Sequence, residues 1–168
     1  SDAMRKSARE KRHAKGFRTA RENLSDLIDG DSFVEYGQLA VAAQRGRRDP
    51  ESLRIDTAAD GVITGTATIN KDLIVSGESD VAVAIYDYSV LAGTQGFFHH
   101  QKLDRIFEVA ERECLPFVMY TEGGGGRPGD TDVKVNIAGL NSTSFSRWAG
   151  LTGKVPRVTV NNGYCFAG

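Results

Sequence analysis

The sequence is poor in cysteine and carries almost no net charge. Its 168 residues include two cysteines, and 21 Lys and Arg stand against 22 Asp and Glu, for a formal net charge of −1. Two cysteines are too few for a disulfide scaffold, so we interpret Cys114 and Cys165 as reduced structural thiols in apolar surroundings. A chain without excess charge has no general attraction to nucleic acid or to a membrane surface. We therefore expect a cytoplasmic protein with neither of those partners.

Long hydrophobic runs are also absent. No apolar stretch approaches the ~20 residues of a membrane span, and no secretory leader is recognisable. Hydrophobic residues make up 40% and charged residues 26%, as in an ordinary globular domain with its own core. We interpret residues 1–3, which precede Met4, as a cloning remnant. Because the chain stops on Phe166, Ala167 and Gly168 directly after an apolar strand, we expect it to be a fragment of a longer protein.

The N-terminal region, residues 4–31, is predicted to be a basic helix. Apolar residues recur at helical spacing within residues 5–27, and most charges in the first half are positive. Two interpretations remain open: a solvated positive face, or a cationic rim for a phosphorylated ligand.

From residue 60 onward the pattern alternates between strands and helices. Short strands are predicted at residues 33–39, 62–69, 73–75, 81–86, 117–120 and 155–160. Helices are predicted at residues 97–114 and 142–151, and residues 45–54 are predicted to be a loop because they are polar and contain Pro50. The order β-β-β-α-β-loop-α-β indicates an α/β fold with ligand-binding loops after strand ends.

Four consecutive glycines, residues 123–126, follow a buried-type strand. They lack the Gly-Lys-Ser/Thr ending of a P-loop, and they do not form a dinucleotide fingerprint. They are either a flexible linker or a cradle of backbone N–H groups that stabilises an anion or a developing oxyanion.

No other motif supplies a nucleophile or a metal site. Adjacent His99 and His100 point about 100° apart on a helix and have no partners at ligand spacing, so we expect no metal. His99 and Lys102, at i and i+3, are interpreted as a solvated polar face. A hydrolytic triad does not assemble from the sequence. An oxyanion cradle without a nucleophile suits enolate chemistry on a thioester.

Several motifs together resemble one known family. Residues 19–35 are similar to its TARERI-LL…GSF-E opening and residues 60–65 to DGVVTG. Residues 86–102, which read YDYSVLAGTQGFFHHQK, are similar to DFTVLGGSLGEVHAEK, while residues 122–127 align with DSGGAR and residues 163–168 with GPCAGG. The family is the carboxyltransferase component of biotin-dependent acyl-CoA carboxylases, N-terminal half, in the crotonase superfamily. Ala92 replaces a glycine of the pattern, Glu122 replaces an aspartate, and residues 70–80 are longer than the family's hairpin.

The resemblance implies a crotonase-like (Clp protease/crotonase) ββα superhelix over residues 32–168, incomplete at its C-terminus. The implied reaction places the carboxyl group of carboxybiotin on the α-carbon of an acyl-CoA, through an enolate held by backbone N–H groups. Biotin is implied on a separate carrier domain. The implied partners are acyl-CoA, biotin carboxylase and carrier domains, and the C-terminal carboxyltransferase half of another subunit in a homo-oligomer. The isolated fragment is then expected to be inactive, and the departures resemble the branch in which carboxyltransferase and biotin carboxylase are fused.

The same resemblance assigns site residues. Gly125 and Gly126 align with the oxyanion pair, and Gly168 lies near a second donor. Residues assigned to CoA are Arg18, Arg21, Gly93, Gly96, Gly124 and Arg127, with Arg18 and Arg21 as candidate contacts to the CoA phosphates. Two alternatives remain: a biotin-dependent acyl-CoA decarboxylase subunit, and a non-catalytic CoA-binding or assembly module.

Overall fold

The structure, a computed structural model, describes residues 5–76, 78–133 and 142–166. This part of the chain forms five α-helices and a five-stranded sheet, so the predicted α/β class is confirmed. The helices are α1 (Lys6–His13), α2 (Ala20–Leu27), α3 (Pro50–Asp56), α4 (Phe97–Arg112) and α5 (Ser144–Gly150). The strands are β1 (Val34–Tyr36), β2 (Val62–Thr68), β3 (Asp80–Tyr86), β4 (Phe117–Gly124) and β5 (Arg157–Phe166).

The strands lie side by side in the order β1-β2-β3-β4-β5. β1, β2 and β3 are antiparallel neighbours, whereas β3–β4 and β4–β5 are parallel pairs. The change to parallel pairing falls where α4 crosses from β3 to β4, because a parallel connection needs a crossover segment. This topology brings the ends of β3 and β4 to one edge of the sheet.

The central strand β3 is buried on both faces, as its continuous apolar sequence predicts. Ala82, Ala84 and Tyr86 pack with α4 on one face. Val81, Val83 and Ile85 face the other way and pack with Ala20 and Leu24 of α2. The sheet is therefore covered by helices on both sides.

The helix predicted over residues 5–27 is two helices. Gly16 adopts a φ of 76°, which an α-helix does not accommodate, and the chain restarts at Thr19. The Thr19 side chain accepts from the Glu22 N–H while the Glu22 side chain accepts from the Thr19 N–H, a complete capping box. A capping box fixes a helix start, so α2 is a separate helix that begins after Thr19.

Two further segments differ from the sequence prediction. Residues 50–56, predicted as a loop, form α3 because Pro50 occupies the first helical turn and the Asp49 carboxylate accepts from the N–H groups of Glu51 and Ser52. Residues 73–75 are predicted as a strand, but Leu73 ends a short 3₁₀ turn and residues 74 and 75 follow it; the side chains of Leu73 and Val75 are exposed.

α4 is the longest helix of the described part, with 16 residues. Its first N–H, that of Phe97, donates to the Asp130 carboxylate at 2.8 Å. None of the helices described here is long and apolar enough to cross a membrane. Cys114 and Cys165 are free, but both are exposed, which corrects the expectation of apolar surroundings.

Candidate active site

The glycine segment continues strand β4 and is not a separate loop. Gly124 pairs with Phe166 of β5, and beyond it the Gly125 N–H donates to the Phe166 carbonyl at 2.7 Å. The Gly125 carbonyl accepts from the Gln95 N–H at 2.9 Å, and the Gln95 carbonyl accepts from the Arg127 N–H at 2.8 Å. Backbone held on two sides in this way is not a flexible linker, so that alternative is wrong.

The two glycines predicted to donate to an oxyanion, Gly125 and Gly126, differ in whether their N–H groups are already hydrogen-bonded. The Gly125 N–H is already bonded to Phe166, with Gly125 at a φ of 50°. Gly126 is exposed, and among the residues that the structure describes none accepts a hydrogen bond from its N–H. Within the described ranges, the predicted pair is thus reduced to one free donor, Gly126. Gly168, the other predicted donor, lies outside the described residues.

Gly93 is required by close packing of two backbones. A Cβ on Gly93, which has a φ of 68°, would lie 2.5 Å from the Glu122 carbonyl oxygen. A Cβ on Gly123 would lie 2.5 Å from the Cα of Gly93. The contact fixes the turn after β3 against the end of β4, and it explains Gly93 without a CoA molecule.

Arg127 has an interior position that the sequence prediction missed. Its guanidinium is 3% exposed and forms an ion pair with Asp60. It also donates to the Thr94 carbonyl at 2.7 Å, and its charge lies 3.5 Å from Asp130. Gly96 makes room for the guanidinium because it has no side chain: a Cβ at this position would lie 2.2 Å from Arg127 Nη1. Arg127 and Gly96, which the sequence analysis assigned to CoA, are packed against each other beneath the glycine segment.

Asp60 is the centre of this buried network. Burial raises the pKa of its carboxyl group, while the adjacent Arg127 charge acts in the opposite direction. The other carboxylate oxygen accepts from the His99 N–H at 2.8 Å, which ties the network to the start of α4. Asp60, which begins the DGV motif, and Arg127, which follows the four glycines, are therefore in contact in the fold.

The predicted solvated face of His99 and Lys102 is wrong, because both side chains are buried against the chain around Asp60. Burial holds the pKa of His99 well below its usual value, so the ring is neutral. Burial also lowers the pKa of Lys102 to about 8, while Glu35 and Asp60 act to raise it. Lys102 Nζ donates to the carbonyls of Ala59 and Val62. In the described ranges no group of His, Cys, Asp and Glu is arranged to hold a metal ion.

Arg18 and Arg21, the predicted contacts to the CoA phosphates, are each paired with a carboxylate. Arg18 lies 2.6 Å from Asp26 on the surface. Arg21 binds both oxygens of Glu35 at 2.7 Å each. Both belong to the region of α2, on the far side of the break at Gly16, and neither lines the cleft described next.

A cleft of about 830 Å³ opens between α1 and the turn after β3. Five basic side chains from α1 and its flanks line it, namely Arg5, Lys6, Lys11, Arg12 and Lys15. The opposite side, next to the glycine segment, is lined by Tyr88, Ser89, Leu91, Ala92 and Glu122.

The cations of the cleft differ in how they are neutralised. Arg5 is held by Asp87 at 3.0 Å and by the Ser89 carbonyl at 2.6 Å. Among the described side chains, no carboxylate forms an ion pair with Lys11 or Lys15, and both are exposed. The cleft therefore presents uncompensated positive charge.

The basic residues that line the cleft are not Arg18 and Arg21, the two arginines that were predicted to contact the CoA phosphates. A helix break separates those arginines from the lysines of α1. The sequence signals of this break are Gly16 and the Thr19-x-x-Glu22 capping box.

Comparison with known proteins identifies the class. The model of the carboxyl transferase domain family matches residues 11–168, and the chain belongs to that family. Its crotonase-like α/β fold is that of solved carboxyltransferases.

The chain is 54% identical to the solved structure of a single-chain, multi-domain long-chain acyl-CoA carboxylase, with a TM-score of 0.89 over 98% of this chain and 16% of that one. It is 31% identical to the propionyl-CoA carboxylase beta chain of Saccharopolyspora erythraea, covering 94% of this chain and 27% of that protein. It is also 29% identical to the methylmalonyl-CoA decarboxylase subunit alpha of Veillonella parvula, covering 95% of this chain and 29% of that protein. The chain thus spans less than a third of these relatives.

Proposed function

We propose that this chain forms the acyl-CoA half-site of a carboxyltransferase in a biotin-dependent acyl-CoA carboxylase. The observation that carries the proposal is the Gly126 N–H, which has no acceptor among the described residues although the backbone on both sides of it is hydrogen-bonded. A backbone donor held in this way can stabilise an oxygen that becomes negative, and it needs no reorganisation as the charge develops.

The two ends of an acyl-CoA fit two different parts of the molecule. The phosphates are anionic and match Lys6, Lys11 and Lys15 in the cleft. The thioester is neutral until its α-proton leaves, and we place its oxygen at the Gly126 N–H. Because CoA is long and linear, a cationic region and an amide donor need not share one pocket wall. This assignment replaces Arg18 and Arg21 as the proposed phosphate contacts.

When bound, biotin on its separate carrier supplies the carboxyl group. No residue of this chain is assigned to it, and the role of this chain is to bind acyl-CoA and stabilise the enolate. We propose that the C-terminal carboxyltransferase half of another subunit completes the site in a homo-oligomer, with biotin carboxylase and carrier domains as cytoplasmic partners. The isolated chain is then expected to bind acyl-CoA without turnover.

The experiment compares Gly126→Pro with Gly126→Ala in the full-length enzyme. Proline removes the N–H, and alanine keeps it. Loss of one oxyanion donor costs about 2.7–4 kcal/mol of the barrier, so kcat of Gly126→Pro is expected to fall by about 10²–10³ relative to Gly126→Ala. Circular dichroism checks that both variants fold. Equal kcat values in two folded variants would refute the role of the amide.

A second candidate is a biotin-dependent acyl-CoA decarboxylase subunit. The observation in its favour is the 29% identity to a methylmalonyl-CoA decarboxylase subunit, close to the 31% found for a carboxylase beta chain. Both reactions pass through an enolate and need the same amide. Turnover of the full-length protein separates them: ATP-dependent carboxylation supports the first candidate, and sodium-coupled decarboxylation supports the second.

A further inference from the structure

We propose that Arg12 and Glu122 are positioning residues that couple the cationic helix α1 to the backbone of the glycine segment, residues 123–126. The inference rests on the proposed function, because it concerns how the phosphate-binding and thioester-binding parts of one site keep their relative position. Glu122 lies directly before the four glycines, and Arg12 lies on α1 among the lysines of the cleft.

The two side chains form a buried, two-pronged ion pair. Arg12 Nη1 lies 2.5 Å from Glu122 Oε1, and Arg12 Nη2 lies 2.7 Å from Oε2. The side chains are 9% and 5% exposed, although the residues are 110 positions apart. A planar fork that matches both carboxylate oxygens fixes orientation as well as distance. The pair therefore joins two distant segments with one defined geometry.

Arg12 is also fixed on its own side. Nη2 donates to the Arg18 carbonyl at 2.9 Å, and Nε donates to the same oxygen at 3.2 Å. The rings of Phe17 and Tyr88 lie with centroids 5.0 and 5.6 Å from its guanidinium carbon. Because its donors are used in this way, Arg12 holds the cleft wall together, whereas the adjacent Lys11 forms no ion pair with any side chain that the structure describes.

Glu122 is held through its carboxylate and through its backbone. Asn162 Nδ2 donates to Oε2 at 3.3 Å. The adjacent Gly163 leaves the necessary space, because a Cβ there would lie 2.5 Å from Oε1. The carbonyl of Glu122 packs against Gly93, the contact described above. Movement of Glu122 would therefore shift the strand end that leads to Gly126.

These contacts predict that breaking the pair from either end has the same consequence. Loss of Arg12 leaves an uncompensated buried carboxylate, and loss of the Glu122 charge leaves an uncompensated guanidinium. Both changes displace the start of the glycine segment relative to α1. We expect the Gly126 amide to be misplaced, which lowers kcat, and the lysines of α1 to move, which raises KM for acyl-CoA.

The test uses the full-length enzyme with Arg12→Met, Glu122→Gln and the double variant. Steady-state kcat and KM are measured with the acyl-CoA substrate and with the matching acyl-pantetheine, which lacks phosphates. Each single variant is expected to lower kcat at least tenfold on both substrates, and the double variant is expected to fall no more than threefold further. The matched control is Glu111→Gln, which breaks the exposed pair with Lys154 and leaves both constants unchanged.

A kcat within twofold of the parent enzyme in either single variant would overturn the proposal, as would effects that multiply in the double variant. If Arg12→Met does not fold, Arg12→Lys keeps the charge without the fork, and a parental kcat in that variant is equally contradictory. The comparison of Gly126→Pro with Gly126→Ala distinguishes failure of the Arg12–Glu122 proposal from failure of the proposed function. A normal Gly126→Pro enzyme refutes the half-site, whereas an impaired Gly126→Pro enzyme with normal Glu122→Gln refutes only the pair.

Discussion

Asp60 shows how one residue can be essential to a site that it does not line. It is fully buried, adopts a φ of 48°, and binds both the Arg127 side chain and the His99 N–H. A buried carboxylate is unfavourable unless a charge and hydrogen bonds compensate it. The network therefore depends on all three residues, and it lies directly beneath the backbone from which the Gly126 N–H projects.

Arg127→Met tests this network. The variant leaves Asp60 buried without its cation, so the free energy of unfolding is expected to fall by about 3–5 kcal/mol. Chemical denaturation measures the change. The matched control is Arg18→Met, whose guanidinium pairs with Asp26 in an exposed position, and its midpoint is expected to stay unchanged. Similar midpoints in the two variants would mean that Arg127 is not a structural residue.

Lys102 predicts a dependence of stability on pH. Its pKa is about 8 in the folded protein and 10.5 ordinarily, so between these values the unfolded chain binds more protons. Stability then rises with pH across this window, because the cost of the buried charge disappears, by on the order of 3 kcal/mol. Urea midpoints between pH 7 and 10 should show this rise relative to Lys102→Met. If the urea midpoints of the parent protein and of Lys102→Met changed with pH in the same way, the lowered pKa of Lys102 would be contradicted.

At the scale of elements, the strands and helices with a long periodic pattern were predictable, whereas the short segments between them were not. β3 and α4 follow from their apolar patterns, and both lie within two residues of the predicted bounds. By contrast, residues 73–75 have an apolar sequence but belong to none of the strands in the described part of the chain, so intrinsic β preference was not enough. α3 was missed because Pro50 was interpreted as a loop residue, although proline is favoured in a first helical turn.

The glycine segment shows the same limit within the site. Its sequence predicts backbone exposed to a ligand, but four identical residues cannot indicate which N–H is used inside the fold. The Gly125 N–H donates to the Phe166 carbonyl, whereas the Gly126 N–H has no acceptor among the residues that the structure describes. That pairing joins residues about 40 positions apart, so only tertiary structure reveals it.

Gly93→Ala tests the packing of the turn after β3 on β4. The added methyl group would meet the Glu122 carbonyl at 2.5 Å at a φ of 68°, so we expect a loss of about 2 kcal/mol or more. Thermal and urea unfolding measure it. The control is Gly30→Ala, where nothing lies within 4 Å, with an expected change within about 0.5 kcal/mol. If both variants were equally stable, the packing explanation for a glycine at position 93 would be wrong, and contact with a ligand would have to explain it.

At the scale of the whole molecule, a net charge of −1 conceals a strongly uneven distribution. Five basic side chains from α1 and its flanks converge on one cleft, whose lining holds two acidic residues, Asp56 and Glu122. Composition predicts no general attraction to polyanions, but it does not indicate where the positive side chains gather. The break at Gly16 separates α1 from α2, and α1 lines the cleft together with residues of the turn after β3.

The central claim is that the Gly126 amide binds the thioester oxygen of an acyl-CoA whose phosphates lie on α1. The most direct measurement is a titration of the isotopically labelled protein with acetyl-CoA, followed by amide resonances. We predict that the Gly126 amide proton moves downfield and saturates together with the resonances of Lys11 and Lys15. The Gly125 amide, already bonded to Phe166, should move much less. Saturation on α1 with an unmoved Gly126 amide would contradict the account.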